Sequence, residues 1–104
     1  MSSTGILLGL IARVPADGVA AFNAYEAGVL PLLARHGGVL QRRVRNDAGT
    51  VEIHLVWFPS EAAFAAFRED PARTTLAPVL AASGATMEVL RLTDLTDGTA
   101  FTTT

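Results

Sequence analysis

Hydrophobic and polar residues alternate along residues 50–58, and this period of two predicts a β-strand. One face of the strand carries Val51, Ile53, Leu55 and Trp57, and the other carries Glu52, His54, Val56 and Phe58. Pro59 lacks a backbone N–H and should end the strand. Ser60 is then a suitable N-cap for a helix over residues 60–69, in which Glu61 places a negative charge in the first turn.

Residues 5–14 form an apolar run with almost no alternation, which is typical of a strand covered on both faces. A buried helix is the competing interpretation, but Pro15 follows at once and favours a short strand. From Val19 to Leu33 the apolar spacing is helical, and Pro31 inside this pattern should kink the helix or restart it.

Residues 39–46 predict a strand that turns back through residues 47–49 into the alternating strand. We expect the pairs Arg45 opposite Thr50, Arg43 opposite Glu52 and Gln41 opposite His54. This register gathers apolar residues on one face, with Arg42 as the exception: Leu40, Val44, Val51, Ile53, Leu55 and Trp57. A shift by one residue would mix polar and apolar side chains on both faces, which is the less stable arrangement.

The remaining chain predicts a second helical segment and a last strand. Asp70-Pro71 breaks the helix after residue 69 and starts another over residues 72–82, which contains Pro78 and should be short or bent. Residues 86–93 then form a strand. The order β-α-β-β-α-β predicts an α+β, ferredoxin-like fold, with a four-stranded antiparallel sheet that carries its helices on one face.

The composition points to a second copy of the chain as a partner. The chain has 104 residues, which fits one domain over residues 1–104, with an ordered core over about 5–93 and a polar tail over 94–104. The hydrophobic fraction is 50 % and the mean hydropathy is +0.37. Because one sheet face is open and the first strand is apolar on both sides, we expect two sheets to pack face to face in a homodimer.

Other features of the composition narrow the function. The chain has no cysteine, which excludes thiol catalysis, disulfides and thiolate metal sites and suits a cytoplasmic protein. The formal net charge of −2 indicates no nucleic-acid partner. We expect neither a membrane span nor a signal peptide, because no apolar run reaches about 20 residues and the N-terminus has no basic segment.

Several short motifs are similar to those of a known superfamily. They are Phe22-x-x-Tyr25, Leu30-Pro31-Leu32-Leu33, His36-Gly37-Gly38, Phe58-Pro59-Ser60, Asp70-Pro71 and Leu76-x-Pro78. Over about residues 5–93 the chain resembles the dimeric α/β-barrel superfamily, nearest to a family of small domains of unknown function. Antibiotic-biosynthesis monooxygenases, NIPSNAP proteins and muconolactone isomerases are more distantly similar. The resemblance implies a homodimeric barrel with a pocket between sheet and helices in each subunit.

The chain departs from the nearest family at several polar positions. Where that family has a Glu before Phe-Pro-Ser, this chain has Trp57, and the family's Arg near the end of the second helical segment corresponds to Leu80. The family's aromatic and Tyr positions around the Asp70-Pro71 step correspond to Phe67, Arg68 and Arg73. Only the fold and the general location of a pocket therefore carry over from the resemblance.

His54 and Tyr25 are the candidate catalytic residues. Glu52 and His54 are two residues apart on one strand face, a spacing that suits an acid–base pair. No third metal ligand is apparent, so we expect no metal. Candidates for substrate binding are Trp57, Phe22, Phe64, Phe67 and Arg43. Because the Trp57 face is the more apolar one, we expect the helices and any pocket to lie on that face.

Two functions remain open at this point. The first is a cofactor-independent oxygenase, cyclase or isomerase that acts on a hydrophobic or aromatic metabolite, with His54 moving a proton and Tyr25 or an arginine holding an enolate-like oxygen. The second is a non-catalytic module that binds a ligand or only dimerises. The position of His54 on its strand favours a structural role at the dimer seam, paired with Gln41.

Overall fold

The computed structural model describes residues 5–95, and its four strands form one antiparallel sheet in the order β2-β3-β1-β4. The strands are β1 Ile6–Arg13, β2 Val39–Arg45, β3 Val51–Phe58 and β4 Thr86–Leu92. The helices are α1 Val19–Val29, α2 Leu32–Arg35, α3 Glu61–Arg68, α4 Pro71–Thr75 and α5 Ala77–Ser83, with a 3₁₀ turn at Ala16–Gly18 before α1. The predicted ferredoxin-like fold is confirmed. Most of the polar tail expected from residue 94 onward lies outside the described residues.

Prolines divide both helical segments. The first segment stops at Val29 and resumes at Leu32, after Pro31. The short or bent helix predicted over residues 72–82 consists of two short helices that meet at Leu76, with Pro78 in the first turn of α5. The first turn is where a proline is tolerated, because its missing N–H would have no helical partner there.

Side-chain caps fix the starts of the two helices that follow β3. The Ser60 hydroxyl accepts a hydrogen bond from the Ala63 N–H at 3.0 Å and so caps α3 as predicted. Asp70 caps α4 by accepting a hydrogen bond from the Ala72 N–H at 2.9 Å. Both caps satisfy backbone donors that a helix N-terminus otherwise leaves free.

The predicted register between β2 and β3 is wrong by two residues. Arg45 lies opposite Glu52 and Arg43 opposite His54, and an irregularity between Leu40 and Arg42 leaves Gln41 out of the pairing. An extra residue of this kind reverses the side-chain alternation on one side of it, so Leu40 packs with the helix-facing core instead of the opposite face.

The helices cover the more polar face of β3. Glu52, His54, Val56 and Phe58 are buried, whereas Val51, Ile53, Leu55 and Trp57 face the other side. Trp57 lies against the backbone of Gly5, where an added Cβ would be 2.1 Å from the indole nitrogen. The prediction that helices and pocket lie on the Trp57 face is therefore wrong.

The uncovered face of the sheet carries exposed apolar side chains from β2, β3 and β4. Large side chains exposed on it include Val39, Val44, Ile53, Leu90 and Leu92. Patches of this kind are uncommon on isolated domains and mark contact surfaces. Within residues 5–95, none of the helices is both long and apolar enough to cross a membrane.

Candidate functional site

A cavity of about 70 Å³ lies between the sheet and the helices. One water molecule needs roughly 10–15 Å³ by this measure, so the cavity has room for several. The cavity opens at a mouth, and the space free of atoms, open solvent included, is about 560 Å³. The walls are mainly apolar, and the polar side chains among them are Tyr25, Glu26, His54 and Arg73.

His54 is held at the cavity wall by two carboxylates. Its Nε2 atom lies 2.5 Å from Oε2 of Glu52 and 3.2 Å from Oε2 of Glu26, and all three residues are buried. Because both neighbours are acceptors, Nε2 carries the proton when the ring is neutral. Nδ1 then has a free lone pair, and no residue between 5 and 95 forms a hydrogen bond with it.

Two arginines of β2 pair with the same carboxylates. Arg43 Nη2 lies 2.8 Å from Oε1 of Glu26, and Arg43 Nε donates to Oε2 of Glu52 at 2.9 Å. Arg45 Nη2 donates to Oε1 of Glu52 at 2.6 Å. A buried carboxylate is stable only when it is paired, so these contacts explain how the acidic residues are accommodated beneath the helices.

The network shifts the pKa values of its members in opposite directions. Burial alone would raise the pKa of Glu52, but hydrogen bonds from His54, Arg43 and Arg45 lower it to about 2. Burial alone would lower the pKa of His54, but hydrogen bonds and charge interactions with Glu26 and Glu52 raise it above 6.5. His54 is therefore a stronger base than a free imidazole.

Tyr25 and Arg73 supply hydrogen-bond donors to the same cavity. Burial raises the pKa of the Tyr25 hydroxyl, although the nearby Arg73 partly offsets the shift by charge and hydrogen bonding. Tyr25 therefore stays protonated. The Nε atom of Arg73 is buried without a hydrogen-bond partner among the described residues. Buried donors are nearly always satisfied, so this one suits an oxygen atom of a bound molecule.

The structure brings together only some of the predicted site residues. His54, Tyr25, Phe64 and Phe67 line the cavity. Phe22 does not, because it packs in the core beside Tyr25 with the two rings 6.2 Å apart. Trp57 is on the opposite face of the sheet, so its assignment to the pocket is wrong.

Two predicted pairings within the site have different outcomes. His54 pairs with Glu52 and Glu26, not with Gln41, because the two-residue shift in register places Arg43 opposite it. Arg43 does reach Glu52, diagonally across the strands, but it lines a separate cleft and is not among the residues of the main cavity.

Sequence analysis did not identify Glu26 and Arg73 as site residues. Glu26 follows Tyr25 on the inward stripe of α1, and a carboxylate on an apolar stripe indicates a buried partner. Arg73 follows a helix-starting Asp70-Pro71 step, which places it in the first turn of α4. Neither position by itself reveals that the side chain reaches β3.

The expectation that no third metal ligand exists is wrong. Donor atoms of Glu26, Glu52 and His54 all lie within 4.8 Å of one another. However, Arg43 and Arg45 already donate hydrogen bonds to these carboxylates. A metal ion would have to compete with two adjacent guanidinium charges, so the donor set favours a hydrogen-bonded network.

The fold neighbours of this chain are ferredoxin-like proteins of the antibiotic biosynthesis monooxygenase type. The cofactor-independent oxygenase SnoaB from Streptomyces nogalater is 20 % identical, with 89 % of this chain and 95 % of that chain covered and a TM-score of 0.74. A putative antibiotic biosynthesis monooxygenase from Nitrosomonas europaea is 14 % identical, with 93 % and 96 % covered and a TM-score of 0.75. No family model and no curated protein matches the sequence. Identities this low establish the fold alone.

Proposed function

We propose that this protein is a cofactor-independent enzyme that removes a proton from a hydrophobic, enolisable small molecule, with an oxygenase as the favoured reaction class. The observation that carries the proposal is His54, a base backed by two carboxylates at the wall of an apolar cavity. A base of raised pKa with one free ring nitrogen is the group that proton abstraction requires. The fold is also that of a protein named as a cofactor-independent oxygenase.

In the proposed reaction, Nδ1 of His54 takes a proton from a carbon next to a carbonyl group. The C–H bond breaks, its electron pair moves into the carbonyl, and the resulting enolate oxygen accepts hydrogen bonds from Tyr25 and Arg73. Such donors stabilise a developing oxyanion most strongly in a cavity that excludes water. The proton remains on His54, where Glu26 and Glu52 stabilise the imidazolium.

The fate of the enolate separates the reaction classes. In an oxygenase, the enolate carbon bonds to dioxygen and His54 returns its proton to the reduced dioxygen, which gives a hydroperoxide. Loss of water from the hydroperoxide then leaves a new carbonyl group. In an isomerase, the proton returns to a different atom of the substrate and no dioxygen is consumed.

The proposed functional unit is a homodimer in which the uncovered sheet faces of two copies pack together. Support comes from the exposed apolar side chains on that face, such as Val44 and Ile53, which are 41 % and 40 % exposed. A second copy offers the same apolar surface, as a two-fold interface requires.

Deuterium exchange tests the proposed chemistry. A panel of enolisable aromatic ketones, led by 2-tetralone, is incubated with the protein in D₂O, and loss of the α-proton signals is followed by NMR together with dioxygen uptake. We expect exchange that His54→Gln slows by roughly 10²-fold or more. Phe22→Leu is the control, because Phe22 lies in the core outside the cavity. Exchange at the same rate in His54→Gln would contradict the assignment of the base.

A non-catalytic ligand-binding module is the second candidate. The network of Glu26, Glu52, Arg43 and Arg45 pairs its buried charges without any ligand, which is the observation in its favour. Panel members that bind in the cavity without exchange or dioxygen uptake would support this function over the first.

A further inference from the structure

Glu26 lies at the boundary between two separate spaces in the protein. It lines the apolar cavity with His54, and it also lines a second cleft of about 280 Å³. The other residues of the cleft are Asn23, Ala27, Leu30, Pro31 and Arg43. Asn23 and Ala27 are exposed, so this cleft is in contact with solvent. The Glu26 side chain itself is only 3 % exposed, and it is a lining residue of both the cavity and the cleft.

The two carboxylates beside His54 differ in their cationic partners. Glu52 accepts hydrogen bonds from both Arg43 and Arg45, the latter through two nitrogen atoms, and has the 2.5 Å contact with His54. Glu26 has one close guanidinium contact, with Arg43 at 2.8 Å, while Arg45 is 3.9 Å away. More cationic partners make a carboxylate harder to protonate, so Glu52 is the poorer proton acceptor.

We propose that Glu26 is a proton-relay residue that connects His54 at the cavity wall with solvent in the second cleft. This inference rests on the proposed role of His54 as a base. After Nδ1 has taken a proton from the substrate, the Nε2–H bond breaks and an O–H bond forms at Oε2 of Glu26, 3.2 Å away. A water molecule in the cleft then takes the proton from Glu26, which restores the carboxylate. When Nδ1 passes the substrate's proton on, a proton from the cleft returns through Glu26 to Nε2, so that Nδ1 is again free to accept a proton. Glu52 keeps the imidazole in place but does not lead to the cleft.

The experiment measures how quickly the Nε2 proton of His54 exchanges with water in ¹⁵N-labelled protein without ligand. Water-saturation transfer detected on the imidazole resonances gives the rate, and His36→Gln assigns the signal, since these are the two histidines of the chain. We expect Glu26→Gln to slow the exchange by roughly 10²-fold or more, because the amide accepts the hydrogen bond but does not take the proton. In Glu52→Gln, the exchange rate should stay within the same order of magnitude as in the wild type. The comparison is made after correction for the changed fraction of protonated His54.

A second pair of variants keeps the proposal testable if Glu26→Gln does not fold. Ala24 and Ala27 are both exposed on α1, but only Ala27 lines the cleft. Ala27→Phe should fill the cleft and slow the exchange, and Ala24→Phe should not. The proposal is overturned by an unchanged rate in Glu26→Gln, by equal slowing in Glu52→Gln, or by equal rates in the two phenylalanine variants. The exchange experiment uses no substrate, so its result does not depend on the outcome of the test with ketones.

Discussion

Glu52 and His54 lie two residues apart on β3, and Oε2 of the carboxylate is 2.5 Å from Nε2 of the imidazole. Side chains at positions i and i+2 of a strand share one face, so the strand itself brings the acid and the base together. The helices then bury both groups, which makes their mutual interaction stronger than it would be in water.

The lowered pKa of Glu52 predicts a loss of stability in acid. The pKa of Glu52 is about 2 in the folded protein, compared with an ordinary value of 4.5 for a glutamate. The stabilisation that Glu52 contributes is therefore complete above pH 4.5. The contribution is lost as the pH falls from 4.5 towards about 2, because the unfolded chain takes up the proton first. Urea unfolding at several pH values should show that the free energy of unfolding falls with the pH in the wild type and falls less steeply in Glu52→Gln. Equal slopes would contradict the assigned pKa shift.

A double-mutant cycle should reveal coupling between Arg43 and Glu52. The pair is joined at 2.9 Å, and the glutamate side chain is 1 % exposed. We expect a coupling free energy at or above the roughly 0.2–1 kcal/mol that is usual for exposed pairs. Urea unfolding of Arg43→Gln, Glu52→Gln and the double variant supplies the cycle.

The control for this cycle is Glu61 with Arg91, which approach to 2.8 Å with both side chains more than half exposed. Solvent screening should make the coupling of this pair smaller. If the exposed pair couples as strongly as Arg43 with Glu52, burial is not what strengthens the buried network.

The uncovered sheet face predicts that Ile53→Lys weakens self-association. Ile53 is 40 % exposed and lies among apolar neighbours, so a lysine there would place a charge inside the proposed interface. Light scattering should show a dimer for the wild type and a folded monomer for the variant. Ala24→Lys, on the exposed side of α1, is the control and should remain dimeric. A monomeric wild type would contradict the proposed assembly.

The alternation along β3 predicted which residues share a face, but not which face the helices cover. The choice of the Trp57 face followed from its apolar character, and the structure shows the opposite. The reason lies in distant residues: Glu26 on α1 and the arginines of β2 pair with Glu52 and His54. The sequence of β3 by itself does not reveal partners on α1 and β2. Its more polar face was therefore assigned to the side away from the helices.

The pairing register between β2 and β3 is a second feature that the sequence pattern did not determine. Any even shift of β2 keeps the same side chains on the same face, so alternation does not distinguish Arg43 opposite Glu52 from Arg43 opposite His54. The irregularity at Gln41 has no residue signature, yet it decides that Leu40 faces the helices. The positions of the elements along the chain were predictable because the breaks at Pro15, Pro59 and Gly84 are local features.

The protonation state of His54 tests the central claim most directly. The ¹⁵N resonances of the imidazole, followed over a pH titration and assigned with His36→Gln, report both the titration midpoint and which nitrogen carries the proton. We expect a midpoint above 6.5 and a neutral form with the proton on Nε2, which leaves Nδ1 free to accept a proton. A midpoint below 6.5, or a neutral form protonated on Nδ1, would show that His54 is not the proposed base.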